Sequence, residues 1–322
     1  MTTNRRVLAR ILGGALALCW VLSSAAHQTG GPIRFYVTDP DSPLVAEGLA
    51  KPAPTGAVLD TFQKLPAPGV RLVPTVARST NVPWIDSNGW RYQRGVRKAH
   101  YAELPAGSAA LAAAEAFAFD AEAILNPDAA DIGELRDMLR FLAEHDRPAL
   151  PALANIGVVD NPSPLMGEVL NMLTRRNLLF RVVPSPDPSL DLTVRLGTRD
   201  FPVEAAANPH EFAARVRNKL GDEKRLVRLY GTSTVIARLT ADGERARLVL
   251  LQYSRPRRQQ SAPSPQAMQV RLLGSYTPAA FAAHGAQPGA SLSDLRHPPG
   301  ATEFWVPDFL VAAIVDLDRR AK

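Results

Sequence analysis

Cysteine is almost absent from this sequence: Cys19 is the only one in 322 residues. It lies in an apolar N-terminal segment that we predict to be removed, so the mature chain would contain none. Without cysteine, the mature chain can form no disulfide, thiol nucleophile, zinc–thiolate site or iron–sulfur cluster. Its roughly 295 residues must be stabilised by a hydrophobic core alone, and a chain of that length is typical of two domains.

Motifs for metals and nucleotide cofactors are also lacking. The six histidines are scattered, and none stands in an HExxH or HxH spacing. No serine lies in GxSxG, and neither GxGxxG nor GxxxxGK[ST] occurs in the sequence. We therefore predict no metal and no cofactor.

A strong excess of positive charge is absent as well. The chain has 37 basic and 31 acidic residues; without the three arginines of the N-terminal segment, 34 basic residues remain and the net charge is +3. The clearest basic cluster, RPRRQQ at 255–260, is followed by SAPSPQA, which is typical of a solvated loop. Nucleic-acid binding would need basic residues and aromatics together on one face. We expect no nucleic-acid partner.

The N-terminus has the pattern of a secretory signal peptide. Three arginines precede the apolar run ILGGALALCWVL, and small residues follow up to Ala26. This pattern predicts a signal peptide over 1–26, cleaved after Ala26. The run is shorter than the roughly 20 residues of a spanning helix, and Leu18 stands where a lipoprotein signal needs a small residue. We expect export to the periplasm or the extracellular space; the alternative is an uncleaved N-terminal anchor in the membrane.

Residues 27–221 have the pattern of a mostly parallel α/β domain. Apolar strand segments alternate there with helical patterns of about 10–15 residues. The predicted helices are 58–65, 107–119, 132–145, 161–177 and 209–221, and the predicted strands are 33–37, 70–77, 121–125, 152–159, 178–183 and 192–197.

After Gly221 the helical pattern stops. Six short β segments separated by turn residues follow, and the Asp-Gly within 241–244 predicts a hairpin. This pattern predicts a small antiparallel β-sandwich domain over 222–322. The fold class is therefore α/β plus β, with the domain boundary near residue 221.

PWIDSNGWRY at 83–92 places two of the four tryptophans around one Asn-Gly. Asn-Gly between apolar residues is a strong hairpin signal, so the stretch predicts a tight turn whose aromatics pack together. It also suits a sugar, because rings can stack on C–H faces while amide and guanidinium groups bond hydroxyls. The residues of this second interpretation, a ligand site, are Trp84, Asn88, Trp90, Arg91 and Tyr92.

Glycoside hydrolysis needs two carboxyl groups, about 5–5.5 Å apart for retention and 6.5–9.5 Å for inversion. Asp86 is one candidate, as nucleophile or base. Glu115 is the other, because AAAEAFAF surrounds it with apolar residues, and burial would raise its pKa as a proton donor requires. A Glu115 that faces water would instead be an ordinary helix residue. The hypothesis predicts that both carboxyl groups face one cleft.

Residues 149–197 resemble the flavodoxin-like domain that follows the catalytic barrel in bacterial β-galactosidase-type glycoside hydrolases. LVRLYGTSTVIARLTADGERARLVLLQYS and TEFWVPDFLVAAIVDLD are similar to the β-sandwich that comes next in those enzymes. The resemblance implies a flavodoxin-like part over 149–221 that serves trimerisation. A complete (β/α)₈ barrel takes about 250 residues, and only about 120 lie between the signal and residue 149. A complete catalytic barrel is therefore not expected.

These observations favour an exported, carbohydrate-associated protein related to glycoside hydrolases, which hydrolyses or binds a glycan. Its catalytic pair would be Asp86 and Glu115, and its partner an oligosaccharide. The alternative is a non-catalytic exported binding or assembly protein that uses the α/β domain for contact with other chains, including copies of itself.

Overall fold

The computed structural model of the protein describes residues 34–56, 60–71, 84–254 and 267–320. The predicted signal peptide and the basic cluster at 255–260 lie outside these ranges. Within them, no helix combines the length and the apolar character needed to cross a membrane.

Strands and helices alternate in the first two thirds of the chain. In chain order they are β1 (Phe35–Val37), α1 (Pro43–Ala46), β2 (Lys51–Pro52), β3 (Gln63–Leu65), β4 (Gly69–Arg71), β5 (Trp84–Asp86), α2 (Gly89–Gln93), β6 (Lys98–Tyr101), α3 (Ala109–Ala118), β7 (Glu122–Leu125), α4 (Ile132–Glu144), β8 (Ile156–Val159), α5 (Pro164–Arg175), β9 (Phe180–Val183), β10 (Leu192–Val194) and α6 (Pro209–Leu220). A parallel five-stranded sheet has the order β2-β1-β7-β6-β3, and a parallel three-stranded sheet has the order β10-β8-β9.

Helix α3 is buried on nearly every side. All of its ten residues except Phe117 are buried, and most of them are alanine. Such small side chains allow close approach, and the helix contacts β7 and α4 as well as strand β13 (Arg245–Gln252) farther along the chain. The alanines share one hydrophobic cluster with residues of the C-terminal strands, among them Val249 and Leu251. This packing places the parallel sheet and the C-terminal β structure both in contact with α3.

The C-terminal part consists of two antiparallel sheets that enclose a separate apolar cluster. Besides β13 its strands are β11 (Val227–Tyr230), β12 (Val235–Ala241), β14 (Met268–Leu273), β15 (Tyr276–Ala283), β16 (Ser293–Arg296), β17 (Ala301–Val306) and β18 (Ala312–Arg319). The two sheet orders are β11-β14-β17-β16 and β12-β13-β18-β15. The hairpin predicted at Asp242-Gly243 is confirmed, because β12 and β13 pair antiparallel across it.

The fold class, α/β plus antiparallel β, is as predicted. Helix α5 begins at Pro164 as expected, with Ser163 Oγ accepting a hydrogen bond from Met166 N at 3.3 Å. Helix α6 ends at Leu220 and is capped by Gly221 as expected, and the φ of +84° at this residue suits glycine. The division into two domains at this residue stays a prediction. One hydrophobic cluster runs across it from the parallel sheet to the β-sandwich.

One predicted helix is wrong in its second half. Gln63–Leu65, inside the helix predicted over 58–65, forms a strand that pairs in parallel with β6. Sheet pairing overrides the local helical spacing here, as tertiary context often does. Residues 57–59 lie outside the described ranges, as does most of the strand predicted at 70–77.

Asn177 joins the end of α5 to the β-sandwich. Its Nδ2 donates to the carbonyl of Val235 at 3.1 Å, and its Oδ1 accepts from the amide of Ala237 at 2.7 Å. The side chain is buried, and the backbone is left-handed, with φ of +53°. This one amide therefore satisfies two backbone groups of β12.

Candidate functional site

The stretch predicted as a hairpin turn is instead a junction between a strand and a helix. Strand β5 ends at Asp86, and helix α2 begins at Gly89. The hairpin prediction is wrong because the partner of β5 is β4, which precedes it in the chain. A type I′ turn needs positive φ at both central residues, whereas Asn88 has φ −87° and ψ 0°.

Gly89 is required by close packing rather than by an unusual backbone. A Cβ at this position would lie 2.5 Å from Cζ of Phe119, a ring that stacks on Tyr92 with centroids 5.5 Å apart. The glycine therefore lets the first turn of α2 lie directly against the apolar core.

We expect Gly89→Ala to lower the free energy of unfolding by about 1–3 kcal/mol, because Phe119 must move out of its packed position. Gly133→Ala is the matched control: it is exposed on α4 and has no atom within 4 Å of an added Cβ. In a helix this change alone favours folding by up to about 1 kcal/mol. Urea denaturation compares them, and equal stability of the two variants would contradict the prediction.

Glu115 lies beneath this junction, fully buried on α3. Its Oε1 accepts hydrogen bonds from Tyr253 OH at 2.6 Å, Asn88 N at 2.6 Å and Ser87 Oγ at 3.0 Å. Its Oε2 accepts from Tyr101 OH at 2.9 Å and Asn88 Nδ2 at 3.1 Å. The carboxyl group thus ties α3 to the β5–α2 junction, to β6 and to the residue that follows β13.

The ionisation of Glu115 reflects two opposing effects. Burial raises its pKa, while the hydrogen bonds from Tyr253, Asn88 and Tyr101 lower it in part. Burial together with the charge of Glu115 raises the pKa of Tyr101 and Tyr253 well above the ordinary value. Both hydroxyls therefore stay protonated and serve as hydrogen-bond donors.

A cavity of about 290 Å³ opens beside the junction. We call it the junction cavity. It brings together most of the predicted site residues with two polar residues of α5. Its principal lining residues are Trp84, Asp86, Asn88, Trp90, Arg91, Glu168 and Asn171. Glu115 and Tyr92 do not line it, and they lie in the core below.

The three predicted stacking rings do not form one platform. Trp84 is buried in the cluster around α5, and Tyr92 is buried in the cluster around α3, where its hydroxyl lies 2.6 Å from that of Tyr101. Trp90 is half-buried: Gly167 packs against its ring, and the Arg91 guanidinium carbon lies 4.2 Å from the ring centroid. Aromatic contact with a ligand is thereby limited to the part of Trp90 that remains accessible.

The polar wall of the junction cavity has both acceptors and donors. Arg91 donates from NH1 to Asn88 Oδ1 at 2.7 Å. Burial lowers the pKa of Arg91, and the charges of Glu115, Asp86 and Glu168 raise it in part. Of these groups, Asp86, Glu168 and Arg91 line the cavity, so its wall holds two carboxylates and one guanidinium group.

Sequence reasoning missed Glu168 and Asn171. They stand at positions i and i+3 of α5, so they share one helix face. Asn171 is buried and donates from Nδ2 to the carbonyl of Ile85 at 3.2 Å, while its Oδ1 has no hydrogen-bond partner among the described residues. Helical spacing could have paired the two residues with each other. It could not place them opposite Asp86, since that needs the contact between α2 and α5.

Asp86 also borders a larger cavity of about 760 Å³, lined in addition by Ser108, Glu134 and Tyr253. This larger cavity lies where the loops leave β3 and β6, at the carboxyl edge of the parallel sheet. That edge is where open α/β folds usually bind ligands. In the part of the chain that the structure describes, no group of three or more His, Cys, Asp or Glu side chains could hold a metal ion.

No family model and no curated protein matches the sequence. Among solved structures, the fold is similar to α-L-fucosidase isoenzyme 2 from Paenibacillus thiaminolyticus, with a TM-score of 0.52 and 10% identity, covering 72% of this chain and 63% of that one. The chain thus spans less than two thirds of the length of the fucosidase.

Two amylases give much weaker matches. Eubacterium rectale Amy13B has a TM-score of 0.18 at 9% identity, covering 70% of this chain and 53% of that one. The Anoxybacillus α-amylase has a TM-score of 0.15 at 10% identity, with coverages of 73% and 57%. At these TM-scores the two amylases show no shared fold with this chain. The likeness to the fucosidase shows a fold shared with a glycoside hydrolase, whereas the predicted resemblance to a β-galactosidase trimerisation domain stays a prediction.

Proposed function

We propose that the protein is a glycoside-hydrolase-related protein that binds a carbohydrate in the junction cavity. The observation that carries the proposal is the composition of the cavity wall. Asp86, Arg91 and Asn171 offer acceptors and donors for hydroxyl groups beside the half-exposed ring of Trp90. Sugars require this mixture of polar groups and apolar ring surface. The unpartnered Oδ1 of buried Asn171 gains an acceptor role when a hydroxyl group binds.

The size of the cavity favours a short ligand. Its volume of about 290 Å³ lies just below the range usual for small-molecule sites, about 300–1,000 Å³. We therefore propose that it binds the end of a glycan. Export through the predicted signal peptide would bring the protein to extracellular glycans and is part of the same proposal.

Hydrolysis is the second candidate, and one observation favours it: Asp86 and Glu168 line the same cavity. A glycosidase needs two carboxyl groups that reach the bond from its two sides. In this version Asp86 keeps the role of nucleophile or base, and Glu168 replaces Glu115 as proton donor. Glu115 is enclosed by five hydrogen bonds and does not line the cavity, so its proposed role is to position Ser87 and Asn88.

Binding can be tested by tryptophan fluorescence with a panel of plant and bacterial oligosaccharides. Trp84 and Trp90 line the cavity, so a ligand is expected to change the emission in a saturable way. Asp86→Asn keeps the shape of the side chain and is expected to weaken binding at least tenfold, since a charged acceptor is lost (about 1.5–3 kcal/mol). Asp318→Asn, an exposed strand carboxylate outside this cavity, is the matched control and should bind like the wild type.

Trp90→Ala should remove most of the fluorescence response and weaken binding measured by calorimetry. Sampling the same mixtures for new reducing ends separates hydrolysis from binding: hydrolysis predicts turnover that Glu168→Gln abolishes. A flat response in both fluorescence and calorimetry across the whole panel would overturn the proposed function.

A further inference from the structure

A second cavity, distinct from the junction cavity, is lined by arginines. It has a volume of about 370 Å³ and lies between the end of α5, helix α6 and the first strands of the β-sandwich. We call it the arginine cavity. Its charged and titratable lining residues are Arg175, Arg176, His210, Arg217 and Arg225.

The positive charges in this cavity are not balanced by carboxylates. Asp222 accepts from Arg217 Nε at 2.6 Å and lies 3.6 Å from Arg225 NH1. Among the described residues, neither Arg175 nor Arg176 has an Asp or Glu within ion-pair distance. Asp222 therefore pairs with two of the four guanidinium groups, and the other two have no carboxylate partner among the described residues.

Two of these guanidinium groups also hold unused donors inside the protein. Arg175 is only 6% exposed, and its buried NH2 has no hydrogen-bond partner among the described residues. The buried Nε of Arg225 also has no hydrogen-bond partner among the described residues. The NH2 of Arg225 donates to the carbonyl of Arg176 at 3.2 Å. Buried, unpaired charge is costly, so a fold that keeps it gains most from a ligand that supplies the missing partner.

His210 is held in its neutral form by the same environment. Arg176 NH2 lies 2.5 Å from its Nδ1 and 3.0 Å from its Nε2, so the guanidinium donates to the ring. Burial and the charges of Arg176 and Arg175 lower the pKa of His210. The imidazole therefore orients Arg176 without neutralising it.

We propose that the arginine cavity binds a tetrahedral oxyanion, a phosphate or sulfate group. Guanidinium groups bind such oxygens through paired N–H donors, and several converging arginines are the usual arrangement for this recognition. Arg175 and Arg225 supply the unused donors, while Arg176 and Arg217 supply further charge at the wall. The space exceeds that of one ion, so an ester of the oxyanion fits as well as the free ion.

The test is calorimetric titration of the whole protein at constant ionic strength, with chloride as the balancing anion. Three ligands are used separately: inorganic phosphate, inorganic sulfate and a hexose phosphate. Saturable binding of phosphate or sulfate is expected, with a rise in Tm that grows with ligand concentration. Tighter binding of the hexose phosphate would identify an ester as the source of the oxyanion, and equal or weaker binding would identify the free ion.

Arg176→Gln and Arg225→Gln should each weaken binding about tenfold or more. Arg195→Gln removes the same charge from an exposed position outside the cavity and should leave the affinity unchanged. Arg175 is left intact, because its guanidinium also packs over Trp84, 5.8 Å from the ring centroid. Circular dichroism confirms folding of each variant. Absence of saturable binding for all three ligands, or equal affinity in all three variants, would overturn the proposal.

Discussion

Replacing Glu115 with alanine is expected to lower the free energy of unfolding by about 3–5 kcal/mol, because it breaks a buried hydrogen-bond network around one carboxyl group. Five donors, from Ser87, Asn88, Tyr101 and Tyr253, converge on this carboxyl group. Alanine removes this shared acceptor. The amide of Asn88 then loses its partner, and an unsatisfied buried donor costs about 1–3 kcal/mol. The other donors keep one contact each, between Ser87 and Tyr253, between Tyr101 and Tyr92, and from Asn88 Nδ2 to the carbonyl of Pro66. Alanine is the best helix former, so the loss would come from tertiary contacts and not from α3 itself.

Glu115→Gln separates shape from hydrogen bonding. It keeps the volume but turns one acceptor oxygen into an NH₂ group that faces other donors. We expect a loss of about 1–3 kcal/mol, smaller than for alanine. Glu144→Gln, on the exposed side of α4, is the control and should change little. Urea denaturation curves measure all three variants, and wild-type stability in Glu115→Ala would show that the hydrogen-bond network contributes nothing.

The pH dependence of stability gives a second measurement of the same group. Burial raises the pKa of Glu115 above its ordinary value of 4.5, so the folded chain holds this proton to a higher pH than the unfolded chain. The stability that the protonated Glu115 contributes to the folded state is therefore fully present below pH 4.5, and it is lost as the pH rises through the folded-state pKa. The wild type should lose stability relative to Glu115→Gln as the pH is raised from 4.5, and a parallel pH dependence of the two proteins would contradict this.

Replacing Asn177 with alanine should cost about 2–4 kcal/mol, because it removes two buried hydrogen bonds and strains the backbone. The amide of Ala237 and the carbonyl of Val235 would lose their partner, since both bond to this side chain. At a φ of +53°, alanine also has a steric cost that asparagine tolerates better.

Asn177→Gly separates the loss of the two hydrogen bonds from the strain of the backbone. Glycine is comfortable at positive φ, so only the hydrogen-bond loss remains, and this variant should be more stable than Asn177→Ala. Because Asn177 connects α5 to β12, we expect both variants to lower Tm for the entire chain. Thermal unfolding followed by near-UV and far-UV circular dichroism measures this. Equal Tm in wild type and Asn177→Ala would disprove the role of Asn177 in joining α5 to β12.

Local sequence patterns correctly predicted several helices and one hairpin. The alanine-rich segment of α3, the amphipathic stripe of α4 and the Pro164 start of α5 all appear where expected. Gly221 ends α6, and Asp242-Gly243 turns the hairpin of β12 and β13. In each case, the signal and the structure that it predicts lie within a few residues of each other.

Two predictions from local patterns were wrong, and in both the structure depends on residues distant in the sequence. Asn88-Gly89 looks like a hairpin turn, yet the pairing of β5 with the earlier β4 makes it the start of a helix. Gln63–Leu65 has helical spacing, yet pairing with β6 makes it a strand. Both outcomes depend on strands distant in the sequence, and local spacing carries no information about them.

The sequence alone determined the fold class, most helices and strands, and the concentration of polar and aromatic residues around Asp86. Periodicity and capping are local, so they can be read without knowing what packs against what. Only the tertiary structure decided which of those residues share a cavity. It set Glu168 and Asn171 of α5 beside Asp86, enclosed Glu115 beneath them and gathered arginines from α5, α6 and the start of the β-sandwich. The physical reason is that a site is made of contacts between elements, and packing of the whole chain sets those contacts.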